Sequence, residues 1–220
     1  MGVGHICWSM KIYCLGFFIC AVFSANLQAV QAPEKKIQTL TDQGDVKSLR
    51  EIGPSILPAL ARQYEAAIED QRATIAWIFY ELGWESPDAK RVLMKDVQTQ
   101  NSKLRLQVQW ALGRVSNDTD VVDILLNNMQ NDSNPLFRDK AACALANDQV
   151  HLNRKQKVRL YEGLIRALSD PKPQVRNIAM LALQIQTGQT KNFNPNGSLV
   201  EREASIQEWK KWLAEYQSNL

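Results

Sequence analysis

Outside its first thirty residues the chain has one histidine and one cysteine, His151 and Cys143. A thiol nucleophile needs its base within hydrogen-bond reach, so that the imidazole can take the thiol proton. His151 falls in the polar stretch Asn147-Asp148-Gln149-Val150-His151, which reads as a loop. Cys143 falls in a helical column with Tyr80, Trp110 and Leu181, where burial is expected to keep a thiol inert. No Cys-x-x-Cys, His-Glu-x-x-His or phosphate-binding loop occurs. Serines and carboxylates are scattered without grouping. The sequence therefore assigns no catalytic residue, no cofactor and no metal ligand.

Three other groups bear on binding. Arg105, Arg138 and Arg176 occupy one column of a repeating pattern. They read either as a guanidinium stripe for an acidic ligand or as structural links to an Asp of the same or the adjacent repeat. Asp132 and Asp170, each six residues before an Arg, favour the structural reading. Arg154, Lys155, Lys157 and Arg159 form the densest basic cluster. Its place at an expected helix start opposes the helix dipole, which favours anions there. That misfit makes it a candidate contact for an acidic partner or a lipid headgroup, against the plainer reading of a solvated face. Trp77 stands in a column otherwise holding Gln107, Lys140 and Ile178, so exposure is expected. Tryptophan is over-represented at binding hot spots; the alternative is packing on the first, atypical repeat. Trp77, Arg154, Lys155, Lys157 and Arg159 are thus the candidate partner-binding residues.

The elements that must position these groups come from an internal repeat. Asp170-Pro171-Lys172-Pro173-Gln174-Val175-Arg176 leads into Ala182-Leu183, and Asp132-Ser133-Asn134-Pro135-Leu136-Phe137-Arg138 leads into Ala144-Leu145 in the same way. A looser copy runs from Asn101 through Arg105 to Ala111-Leu112-Gly113, without the Asp and the Pro. Apolar residues recur at helical spacing almost throughout, and no alternating strand pattern is convincing. The predicted helices pair as 37–52 with 54–67, 72–82 with 87–98, 104–112 with 121–129, and 136–145 with 155–168; a fifth pair opens at Asp170 and ends near Gly188. Gly53, Gly83 and Gly113 read as helix stops. Ser198, three residues before Glu201, is a capping box, and Trp209, Trp212 and Tyr216 then follow at helical spacing.

Together the Asp–x–x–Pro–x–Val–Arg–x–x–Ala–x–x–Ala–Leu positions resemble the HEAT-repeat family, in particular the bacterial HEAT-like repeats of the phycobilin-lyase type, with Phe137 in place of the usual Val. The resemblance covers most of residues 37–190. It implies an all-α fold: a right-handed α-solenoid, armadillo-like and helical, of about five HEAT-like helix pairs with a C-terminal Trp-rich capping helix. It is specific for fold and nearly silent on function.

The remaining signals concern location and balance. Lys11, the uncharged run Tyr13–Phe23 and the small residues Ser24-Ala25 and Ala29 have the order of a secretory signal. The run is short of the roughly 20 residues that span a bilayer. Residues 1–29 read as a signal peptide cleaved after Ala29, with an uncleaved anchor as the alternative and Met10 as a second conventional start. Residues 30–36 read as a linker, 37–190 as the array, and 191–220 as a loop and the capping helix. Lipidation of Cys20 is disfavoured by Ile19 before it. Cys143 alone would remain after cleavage, so the fold cannot rely on an internal disulfide. The formal net charge of +3 is too small for a dedicated nucleic-acid binder.

The expectation is a non-enzymatic scaffold, periplasmic or extracellular, that binds a protein partner along its second helices. No nucleic acid, metal or membrane contact is expected after signal cleavage. The alternatives are a phycobilin-lyase-like protein handling a chromophore and a self-associating envelope component.

Overall fold

The computed structural model describes residues 33–220, so the expected signal peptide lies outside them. Among the described residues the chain is all-helical: eleven α-helices, one 3-10 turn and no strand. They are α1 (33–43), α2 (Val46–Ile52), the 3-10 turn Pro54–Ile56, α3 (Leu57–Ala66), α4 (Glu69–Leu82), α5 (Pro87–Asp96), α6 (Ser102–Val115), α7 (Thr119–Asn131), α8 (Pro135–Asn147), α9 (Arg154–Ala167), α10 (Pro173–Thr187) and α11 (Leu199–Ser218).

Local chemistry sets most of the boundaries. Ser86 Oγ accepts the Ala89 N–H at 3.1 Å and Pro87 opens α5 without losing a bond. Asn101, Asn134 and Asn153 cap α6, α8 and α9 in the same way. Ser198 and Glu201 form the expected reciprocal box, with the Ser198 N–H donating to Glu201 Oε2 at 2.8 Å.

Three expectations are corrected. The helix expected over 37–52 is two helices. Gly44 adopts φ +65°, and the Asp45 carboxylate accepts the Ser48 N–H at 3.1 Å, which starts α2 afresh. Residues 33–36, read as linker, are already part of α1. Gly113 does not end a helix, because α6 runs on to Val115. Its role is close approach: a Cβ there would lie 2.7 Å from the Asp148 carbonyl oxygen.

Packing follows two series. α4, α6, α8 and α10 contact one another in that order, α3 meets α5, α7 meets α9 and α9 meets α11. Between the two rows α5 packs on α6, α7 on α8 and α9 on α10, rather than within the expected pairs α4–α5 and α8–α9. A single apolar core runs between them from Ile37 to Leu213. It includes the column Ile78, Val108, Ala141 and Ala179 and the column Leu82, Leu112, Leu145 and Leu183, every member at most 4% exposed.

The last helix departs from this order. Arg176, in the first turn of α10, donates to the Pro195 carbonyl at 2.8 Å, so the loop after α10 runs back along it before α11 begins. At the other end of α11, Tyr216 donates to the carbonyl of Arg154, the first residue of α9, at 3.0 Å, while Trp212 meets Tyr161 edge-on. α11 is therefore antiparallel to α9. Trp209, fully buried, is its anchor.

Candidate functional site

Arg105, Arg138 and Arg176 lie at one edge of the molecule, in the first turns of α6, α8 and α10, and the full Asp–Arg motif precedes α8 and α10. Asp132 Oδ1 accepts the Asn134 N–H at 2.9 Å and Asp170 Oδ1 accepts the Lys172 N–H at 2.8 Å, each an Asx turn ahead of the helix. Arg138 Nη1 donates to the Asp132 carbonyl at 2.7 Å, and Arg176 Nη1 to the Asp170 carbonyl at 2.8 Å. Each Arg thus grips the backbone of its own Asp rather than its carboxylate. Arg105 has no such Asp. It crosses to the Asp132 carboxylate of the next pair, and its guanidinium carbon lies 4.4 Å from the Phe137 ring centroid. Both members of that ion pair are at most 9% exposed. The three arginines are structural, and only Arg105 makes the inter-repeat link.

The opposite edge holds His151 and Asp148. His151 Nε2 lies 3.0 Å from the Gly83 carbonyl oxygen and 2.8 Å from that of Arg114. Both oxygens can only accept, so Nε2 carries the proton. The imidazole ties the α8–α9 loop to the ends of α4 and α6. Asp148 is 4% exposed and accepts from Arg114 Nε at 2.9 Å. Burial pushes its carboxyl above the ordinary aspartate value, against the pull of Arg114. Arg114 also lies over the Tyr80 ring at 4.1 Å. Cys143 is half-buried rather than buried, and burial, then the Asp139 carboxylate, raise its thiol pKa, which disfavours the thiolate.

The exposed faces of α3, α5, α7 and α9 carry charges that pair across helices. Glu65 receives Arg91 at 2.6 Å and Lys95 at 2.7 Å, which hold its carboxyl down at about 2. Lys90 bridges Asp118 at 2.6 Å and Asp120 at 2.7 Å. Burial lowers its pKa, but the two acids outweigh that and the net shift is upward. Arg159, a candidate partner residue, is engaged by Asp123 at 2.6 Å. Arg154 lies 5.6 Å from the Tyr216 ring centroid, and Arg154 and Lys155 are exposed, with Lys157 half-buried. These four share the start of α9 as the sequence reading has them.

Trp77 is elsewhere, on α4. It is half-buried, lies against the core, and its ring atom Cζ3 would meet a Cβ on Gly44 at 3.5 Å. The exposure expected from its column is found only in part, with Gly44 set against one edge of the ring.

Among the described residues the surface includes two clefts. One, about 730 Å³, runs between α1, α3 and α4, with Arg62 and Glu34 paired at its rim. The other, about 460 Å³, opens between the start of α6, the second half of α7 and the start of α8. Sequence reasoning missed both; the signal for the second was the absence of Asp and Pro from the α6 copy of the motif. Among the described residues no three His, Cys, Asp or Glu side chains are grouped so as to hold a metal ion, and no helix is long and apolar enough to cross a membrane.

No protein-family model matches the sequence, and a search of curated proteins finds no significant match.

Proposed function

We propose that the chain is a HEAT-like, right-handed α-solenoid of about five helix pairs closed by α11, and that it works as a non-enzymatic scaffold for a protein partner. The observation that carries this reading is the pairing of charges from one second helix to the next. α3 is joined to α5 through Glu65, α5 to α7 through Lys90, and α7 to α9 through Asp123. A face built of such rungs is continuous, polar and held in register, which suits recognition by a folded partner better than capture of a small molecule. The fixed role of His151 and the raised thiol pKa of Cys143 favour binding over covalent chemistry. The partner is expected along the second helices, with Arg154 and Lys155 as the exposed cations at one end. The order of charge, apolar run and small residues in 1–29 supports export as part of this reading.

The test is cross-linking and affinity capture from the native compartment, with wild type beside Arg154→Glu/Lys155→Glu. A partner held by wild type and lost in the variant supports the scaffold reading and locates the contact on α9. Capture of nothing above background defeats it. Small-angle scattering tests the solenoid: a radius of gyration no larger than about 16 Å, the compact-domain value for the described length, would count against an elongated array. Amino-terminal sequencing of the recovered protein tests cleavage after Ala29.

A further inference from the structure

The smaller cleft sits where the motif fails. In α8 and α10 the Arg ties down the loop before its own helix. Ahead of α6 the corresponding positions are Thr99 and Ser102 instead of Asp and Pro, and Arg105 is drawn away to Asp132. The gap is lined by Gln98, Gln100 and Ser102 on one wall and by Asn127, Asn131 and Ser133 on the other, all exposed. Local departures from a repeat's own rule are where function is expected.

The chemistry of the lining narrows the ligand. The two charges at its floor, Arg105 and Asp132, neutralise each other, and no Lys or Glu lines the cleft. A strongly charged ligand has no counter-charge there. Phe137 is 4% exposed and already covered by the Arg105 guanidinium, so no aromatic face is offered to a sugar ring. What remains, beside the Ser102 and Ser133 hydroxyls, is carboxamides. Each carries one acceptor and two N–H donors, the same complement that a peptide group presents. Asn131 Nδ2 donates to Asn127 Oδ1 at 2.9 Å, which orients both amides and leaves Asn127 to donate and Asn131 to accept. They stand one turn apart on α7, a rise of about 6 Å. An extended chain repeats its outward peptide groups every two residues, about 6.6 Å.

We propose that this cleft binds an extended peptide segment of a partner through its main chain, with Asn127 and Asn131 on α7 as the principal hydrogen-bonding residues facing Gln98 and Gln100. The inference rests on the scaffold reading and adds where and how a partner is held. Recognition through main-chain groups tolerates many sequences, and the neutral lining selects segments poor in charge.

The test is panning of a random twelve-residue peptide library, displayed on phage, against the purified protein. Synthetic versions of the enriched peptides are then titrated against wild type, Asn127→Ala/Asn131→Ala and Gln98→Ala/Gln100→Ala. All four positions are exposed, and unchanged melting temperatures establish that the variants fold. Loss of two hydrogen bonds predicts binding roughly thirtyfold weaker in the α7 variant, and a comparable loss when one backbone amide of the peptide is N-methylated. Peptides that bind all variants equally overturn the cleft assignment and leave the scaffold reading standing. An oligosaccharide array retained by wild type and lost by the α7 variant overturns the ligand class. Enrichment of no peptide overturns the proposal, and the scaffold reading falls with it only if cross-linking capture also yields nothing.

Discussion

The two edges of the molecule are built on different principles. At the edge carrying the Asp–Arg motif, two of the three loops are tied down locally, by residues at most six positions apart. At the opposite edge the ties run between pairs. His151 reaches back to Gly83 and Arg114, Ser86 donates to the Val115 carbonyl at 2.8 Å, and Gln186 donates to the Ala146 carbonyl at 2.7 Å. One edge is tied mainly by residues close in sequence, and the other by residues far apart in it. Arg105–Asp132 is the buried ion pair by which the first edge borrows the device of the second.

The largest effect is expected where that borrowing is cut. Asp132→Ala leaves Arg105 charged and buried and removes the Asx turn, so a loss of about 3–5 kcal/mol in chemical denaturation is expected. A loss below about 1 kcal/mol would mean that the buried pair contributes little. Gly113→Ala comes next. Its Cβ would press on the Asp148 backbone at the other edge, and about 1–3 kcal/mol should be lost; an unchanged melting curve would show that the α8–α9 loop yields freely. His151→Phe removes a shared donor and should cost about 1 kcal/mol, with faster amide exchange confined to the ends of α4 and α6.

The smallest effect is in the pH profile, and it has two signs. The carboxyl of Glu65 is depressed, so its contribution is present above 4.5 and lost as pH falls towards about 2; Glu65→Gln should flatten the acid limb in that window. Asp148 is raised instead. Its carboxylate costs stability at neutral pH, and that cost is relieved as pH falls through its raised value towards 3.8. Asp148→Asn should therefore steepen the acid limb. Identical profiles for the two variants would contradict the opposed shifts.

What was legible in the sequence was what acts locally. The Asp–Pro–Arg spacing, the Ser86-Pro87 start, the stops at Gly83 and Gly188 and the Ser198–Glu201 box are each settled within a few residues, and the helices begin and end there. The apolar columns also hold, because their period reflects a single core. What was not legible depends on distant partners. Gly113 looks like a stop but serves close packing with a loop thirty-five residues later. Trp77 looks exposed, yet it is half-buried, with Gly44, 33 residues earlier, against its ring. His151 looks idle in a loop, and its two acceptors lie 68 and 37 residues away. The cleft beside α6 is a vacancy in a pattern, visible only once the intact copies show what is missing.

The reversal of α11 also decides how this architecture can change in length. A further helix pair added behind α10 would have to evict α11 from its seat on α9, and with it the fully buried Trp209. The outer side of α11 carries the exposed charges Glu208, Lys210, Lys211 and Glu215, which another helix could cover only by stripping them of water. A helix pair inserted within the series α4–α6–α8–α10 would leave the seat of α11 undisturbed. Packing a second copy against the outer side of α11 would carry the same desolvation cost.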